Sequence, residues 1–539
     1  MTNTPISRLT LHLREKESQR EADKRLSRQS ARVSARLPSK STQRPVIFFK
    51  ASTGILRLSL NSAFNLLAAW GLQLQGVPVI HFVCQEGMSR CVLGTNREDA
   101  TQLPPCSICM RHSGTRLRGQ DVRGFHFEAN PELSDTLKGL NLPELETVEF
   151  GGLPLGQIVL PSLRWILRRH YLLDDEATRL LMREYILSAY QVAQDFSALL
   201  DESNPQAVVV YNGMFFPEAI ARRLAQDRGI RVITHEVALR PFTAFFTTGE
   251  ATAYPIHIPE NFELSAEQNR RLDATLEQRF KGNFTMAGIR FWPDMKGLDE
   301  GFLQKASQFK QIVPVFTNVI FDTSQVHANT IFTDMFVWLD AVLKIIRVHP
   351  ETLFVIRAHP DEMRPNKQSR DSVRGWVEKN KLQSLANVVF IDPGETLSSY
   401  DLISRSKFVL VYNSSIGLEA SLMGAAVLCG GKARYTQYPT VFYSHTPEEF
   451  TAQAEQFLRA DKIEVPPEFQ RQSRRFLYYQ FFKTSLHFGD FLEEHGRPGF
   501  VRLRDFDINQ LLPEGSVTMQ VIVDGILKGS EFILPETGV

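Results

Sequence analysis

The sequence predicts an α/β protein with two doubly wound parallel sheets. Three observations carry that prediction. Short, almost wholly apolar runs recur along the chain: VIFFK at 46–50, AVVVY at 207–211, TLFVIR at 352–357 and FVLVY at 408–412. Runs of this length without polar alternation suit strands buried on both faces. Stretches with apolar residues at helical spacing lie between them, and one of these opens at Pro217 and ends before Gly229, the asymmetry expected of helix ends.

In chain order, 46–50 is the first strand. Residues 61–75 put Phe64, Leu67, Ala68 and Leu72 on one helical face, with Gly76 at the C-cap position. Residues 78–83 are the second strand, and this strand-helix-strand order favours parallel pairing through a right-handed crossover. A long helix follows at 174–200, then a strand at 207–211, a turn at Asn212-Gly213, a helix from Pro217 to Asp227 and a strand at 230–234. Residues 46–245 therefore read as one open parallel domain. Residues 246–310 read as a linker with one helix at 266–279. The second series has strands at 312–316, 352–357, 388–391, 408–412 and 426–429, with helices at 333–347 and after 415. Residues 311–450 thus form a second doubly wound domain. Within 451–539 the chain is first helical, then alternates over 517–534 like a small hairpin.

Composition narrows the function. The 539 residues carry a net charge of +1, which gives no field for nucleic acid. Positive charge gathers in residues 1–45, where eleven Lys or Arg, among them Arg20, Lys24, Arg28, Arg32 and Arg36, stand against four acidic residues. This segment reads as a flexible basic tail, with contact to an anionic membrane face as the sharper alternative. No apolar run reaches the length of a membrane span and no secretory signal is evident. A cytoplasmic location is expected, with any membrane contact peripheral at the inner face.

Ligands of open parallel sheets sit beyond the carboxyl ends of the strands, so the residues just after each strand carry the chemistry. Asn413, Ser414 and Ser415 follow one strand and open a helix. They suit a phosphate, whose charge the helix start favours, or they simply cap the helix. Glu419, one turn on, could accept from ribose hydroxyls. Arg357-Ala358-His359-Pro360 ends another strand. Pro360 keeps His359 out of helical geometry, presenting an imidazole that can bond a diphosphate or protonate a leaving phosphate.

The HP pair at 359–360, followed about fifty residues later by a strand and the Ser414-Ser415 turn, resembles bacterial capsule polysaccharide biosynthesis proteins. It is also similar to sialyltransferases, Kdo transferases and teichoic-acid glycerophosphotransferases. The resemblance implies a GT-B-like fold, with two Rossmann-type domains facing each other across a cleft. It implies a glycosyltransferase that moves a sugar from a nucleotide-activated donor to a saccharide or lipid-linked acceptor, needing no cofactor for catalysis. His359 would contact or protonate the donor phosphate. Ser414 and Ser415 would bind it, Glu419 would lie at the ribose, and Thr317, Asn318 and Arg357 would face the phosphates. For the general base the resemblance points to an acidic residue of the first domain. Glu86, in Cys84-Gln85-Glu86-Gly87, Glu236, after the 230–234 strand, and another acidic residue all stay open. Rival readings are a sugar-nucleotide 2-epimerase, a glycerophosphotransferase and a scaffold with a vestigial nucleotide site.

Cys84, Cys91, Cys106 and Cys109 fall close together, the last two as C-x-x-C. Four thiolates can close a structural zinc site. Reduced buried thiols and a redox or iron–sulfur role are the alternatives. Cys429 ends a buried strand and reads as packing.

Overall fold

The computed structural model describes residues 5–37, 41–51, 57–280, 285–286, 289–290, 296–364, 368–497 and 499–536. The first sheet runs, in spatial order, Asp121–Phe125, Val79–Cys84, Val46–Phe49, Ala207–Tyr211 and Arg231–Val237, all parallel. Thr243–Thr247 and then Leu486–His487 extend it antiparallel to seven strands. The second sheet has six parallel strands in the order Val388–Ile391, Thr352–Arg357, Gln311–Phe316, Val409–Val411, Val427–Cys429 and Phe442–Tyr443. In chain order that is 3-2-1-4-5-6, the Rossmann-type winding. The parallel part of the first sheet follows the same order. The molecule is thus the expected GT-B-like pair of doubly wound domains facing across a cleft.

Burial explains the unbroken apolar runs. Val46 and Phe48 join one hydrophobic cluster and Ile47 and Phe49 the other, on opposite faces of the first sheet. Leu353 and Val355 likewise oppose Phe354 and Ile356 across the second. A strand with helices on both faces has no side free for polar residues.

Two expectations are corrected. The 1–45 segment is not a flexible tail: Pro5–Ser34 is a helix lying on the first domain. Leu26, Gln29, Ser30 and Val33 are buried, a stripe at i, i+3, i+4, i+7 that the interleaved arginines conceal. Gln29 Nε2 donates to Phe506 O at 3.0 Å and Arg25 pairs with Glu493 at 3.0 Å. Residues 1–4 and 38–40 of the segment lie outside the described residues.

The 517–534 hairpin is instead the helix Val517–Lys528, N-capped by Ser516 and closed by Gly529 in the left-handed region. Alternating valines at 517, 521 and 523 mimic a strand. Met519, Ile522 and Ile526 nonetheless share a helical stripe, and all three are fully buried. This helix packs on Leu60–Leu74, so the last part of the chain belongs to the first domain. No helix among the described residues is long and apolar enough to cross a membrane.

Candidate functional site

A cavity of about 760 Å³ opens at the carboxyl ends of the second sheet, by the switch point between Gln311–Phe316 and Val409–Val411. Its size suits a small-molecule site. Thr317, Asn318, Arg357, His359, Asn413, Ser414, Ser415 and Glu419 all line it. The opposite wall includes Glu250, Thr252 and Pro255, which follow the first sheet's Thr243–Thr247 strand, and Gln480 from the C-terminal crossing.

His359 holds an extended backbone, with φ −73° and ψ 131°, ahead of Pro360. The Asp361 N–H donates to its Nδ1 at 3.2 Å. Burial pushes the imidazole below its ordinary value of 6.5, and Arg357 acts in the same direction against Asp361 and Asp322. A neutral ring whose Nδ1 accepts carries its hydrogen on Nε2, which makes it a donor for a ligand oxygen.

Ser415 precedes Ile416–Leu422 but makes no side-chain capping bond. Neither it nor Ser414 spends its hydroxyl on another described residue, so simple capping does not account for the pair. Ser415 is exposed to the cavity and Ser414 is 8% exposed. The helix spans only seven residues, so hydroxyls and nearby cations, more than its dipole, make this corner attractive to an anion. Gly417 lets the turn sit close: a Cβ there would stand 2.2 Å from Tyr435 Oη.

Some expected ligand-facing groups are already committed to the scaffold. Thr317 Oγ1 donates to Arg357 O at 3.0 Å, and Arg357 Nη1 donates to Leu397 O at 2.6 Å. Asn318 Nδ2 donates to Asn413 Oδ1 at 2.7 Å, tying the first strand's loop to the serine turn. Glu419 accepts from Arg279 Nε at 2.7 Å and from Tyr400 Oη at 2.5 Å. A ribose hydroxyl would therefore share or displace one of these partners. Sequence reasoning misses both: Arg279 comes from the linker helix Ala266–Phe280, and no local motif marks it.

Residues 295–461 match the family described as capsule polysaccharide biosynthesis protein. The matched segment contains His359, the serine turn and Glu419. Among solved structures the chain is similar to the β-Kdo 2,4 transferase of Thermosulfurimonas dismutans KpsC. There the identity is 12%, over 52% of this chain and 80% of that one, with a TM-score of 0.34. It is also similar to the UDP-GlcNAc 2-epimerase of Neisseria meningitidis bound to UDP-GlcNAc, at 13% identity over 81% and 98% of the two chains, TM-score 0.24. No curated protein matches it.

Outside the matched segment the structure separates the two base candidates. Glu86 is exposed, has a left-handed backbone with φ 57°, and borders a small cavity shared with the four clustered cysteines. Glu236 stands at the carboxyl end of the first sheet. Its carboxylate accepts from Asn61 Nδ2, Asn212 Nδ2 and the Val237 N–H, each at 2.8 Å. Neither is among the residues lining the large cavity. One link between Glu236 and the cavity runs through Tyr254, whose hydroxyl bonds Val237 O and whose ring lies under Arg434 of the cavity wall at 3.6 Å. Burial pushes the Cys84 and Cys91 thiols up to about 12, which makes them poor nucleophiles as free thiols.

Proposed function

We propose that the chain is a glycosyltransferase of surface polysaccharide synthesis that takes a nucleotide-activated sugar into the interdomain cavity. One observation carries the reading: the His359 imidazole, its Nδ1 held by the Asp361 N–H, and the Ser414 and Ser415 hydroxyls, which have no partners among the described residues, line one cavity in the segment that matches the capsule family. The acceptor hydroxyl attacks the anomeric carbon, and the bond from that carbon to the donor phosphate breaks. The His359 Nε2–H and the hydroxyls of Ser414 and Ser415 bind the leaving phosphate oxygens, with Lys432 on the same wall adding positive charge. Stabilising charge that develops on a leaving group is a principal source of rate. Glu236 is the preferred candidate for the acceptor proton, and since it does not line the cavity the acceptor hydroxyl must extend beyond the Tyr254–Arg434 wall to reach it. Glu236 is preferred to Glu86 because three donors fix its carboxylate at the ligand edge of the first sheet.

A panel of nucleotides and nucleotide-sugars tests the reading by thermal shift and turnover. A matched donor at 100 times its Kd should add about 2.7 kcal/mol of stability, and nucleotide release should require an acceptor. His359→Ala should lower turnover by about 10²–10⁴-fold with an unchanged melting temperature. Conversion of a nucleotide-sugar without acceptor would identify an epimerase instead. Transfer of glycerol phosphate would identify a glycerophosphotransferase, and failure of every nucleotide to bind would leave a scaffold.

A further inference from the structure

A second, much smaller cavity of about 20 Å³ lies in the first domain, far smaller than a substrate needs and about the room one water or ion takes. Cys84, at the end of Val79–Cys84, contributes to its wall. So do Cys91 in the following loop and both Cys106 and Cys109 in the first turn of Cys106–Arg116. All four are free cysteines.

The backbone is shaped around the sulfurs. The Gly87 N–H donates to Cys84 Sγ at 3.3 Å, and the Gly94 N–H donates to Cys91 Sγ at 3.2 Å. These are two Cys-x-x-Gly turns of the same design. A Cβ on Gly94 would stand 2.8 Å from Cys91 Sγ and 2.6 Å from Pro104 Cβ, and one on Gly87 would stand 2.1 Å from Phe125. Only glycine brings those N–H groups so close. Backbone donors of this kind orient a metal-bound thiolate and tune its charge.

Charge points the same way. Arg116 is buried, its Nη1 has no hydrogen-bond partner among the described residues, and it lies within electrostatic reach of Cys109. Buried Lys50 lies within reach of Cys109 too. Asp23 also faces Arg116, and Glu218 and Glu236 also face Lys50; a zinc tetrathiolate, with its formal charge of about −2, adds to that compensation.

We propose that Cys84, Cys91, Cys106 and Cys109 hold one structural Zn²⁺, pinning the 85–105 loop to the start of Cys106–Arg116. Among the described residues no three His, Cys, Asp or Glu side chains already stand as a finished ligand set. Binding therefore draws the sulfurs inward to about 2.3 Å from the ion and releases the four thiol protons to solvent. The ion lies outside the large cavity and takes no part in transfer.

The test is metal analysis of the full chain, purified under reducing conditions without chelator. About one zinc per chain is expected, falling below about a tenth in Cys106→Ser/Cys109→Ser. Because that variant could fail to fold, a second measurement uses the wild-type chain. Co²⁺ added to metal-stripped protein should give the visible bands and thiolate charge-transfer absorption of a tetrahedral sulfur site. Native protein from zinc-supplemented growth that carries under about a tenth of an equivalent, with four thiols that react alike with and without added Zn²⁺, overturns the proposal. Bound iron with iron–sulfur absorption overturns it as well.

Discussion

Glu362 lies directly behind the proposed catalytic histidine: its N–H donates to His359 O at 3.0 Å, and its own carboxyl accepts from the Val373 N–H at 3.1 Å. The side chain is 4% exposed, and burial raises it from 4.5 to about 8, with Asp392 adding to the rise. The folded state therefore keeps this group protonated at neutral pH while the unfolded chain ionises it. Its stabilising contribution is complete below pH 4.5 and disappears as pH rises through about 8. Glu362→Gln keeps an acceptor for Val373 and removes the charge. Melting curves should coincide near pH 4.5. The variant should become the more stable protein as pH approaches 8, the gap widening by about 1.4 kcal/mol for each pH step of one between those values. Buried His81, His170 and His235, lowered to about 4, 4 and 3, give the opposite slope, costing stability as pH falls below 6.5. They are common to both proteins and cancel in the difference. A gap independent of pH would contradict the account. The same neighbourhood marks the limit of reading single residues: His359 and Ser415 are legible because they end strands, whereas Arg279 and Tyr400 reach Glu419 from distant segments.

At the scale of elements, legibility follows burial. Strands covered on both faces, such as Ala207–Tyr211 and Thr352–Arg357, read directly as apolar runs. Edge strands do not: Asp121–Phe125 carries Asp121 and Arg123 and buries only Phe125 fully, and Leu486–His487 is too short to leave a pattern. The N-terminal helix escapes for a related reason, because its buried stripe is one residue wide among arginines. That stripe makes a distinguishing prediction. Val33 is 0% exposed, so Val33→Asp should cost about 2–4 kcal/mol by burying an unpaired carboxylate. Arg32, nearly half exposed and 3.9 Å from Asp505, makes a surface pair worth about 0–1 kcal/mol, so Arg32→Ala should scarcely move the melting temperature. A flexible tail would leave both variants unchanged in urea or thermal melts.

Across the whole molecule, the two domains are joined by two crossings, a feature invisible to a reading that takes residues 451–539 as helices and a small hairpin following the second domain. Pro467–Tyr478 packs against Ile416–Leu422 of the second domain. The chain then turns through the buried π-helix Tyr479–Lys483, adds Leu486–His487 to the first sheet and ends with Val517–Lys528 over Leu60–Leu74. Gln480 of this return lines the large cavity, so the segment that completes the first domain also borders the proposed donor site. The energetic weight of the return is large. Phe488, Phe491, Ile522 and Ile526 are each at most 1% exposed within the first domain's core. Fully burying such a side chain is worth about 1.5–3 kcal/mol, and four together rival the net stability of an ordinary domain, about 5–15 kcal/mol. A chain ending at residue 483 should therefore leave the first domain open and prone to aggregation, although it keeps every parallel strand. Limited proteolysis should cut it first within 46–245, while residues 311–461 resist longer. Co-expression of a 484–536 fragment should restore protection of the first domain. A truncated chain whose first domain resists protease as the intact one does would show that the return adds no stability there.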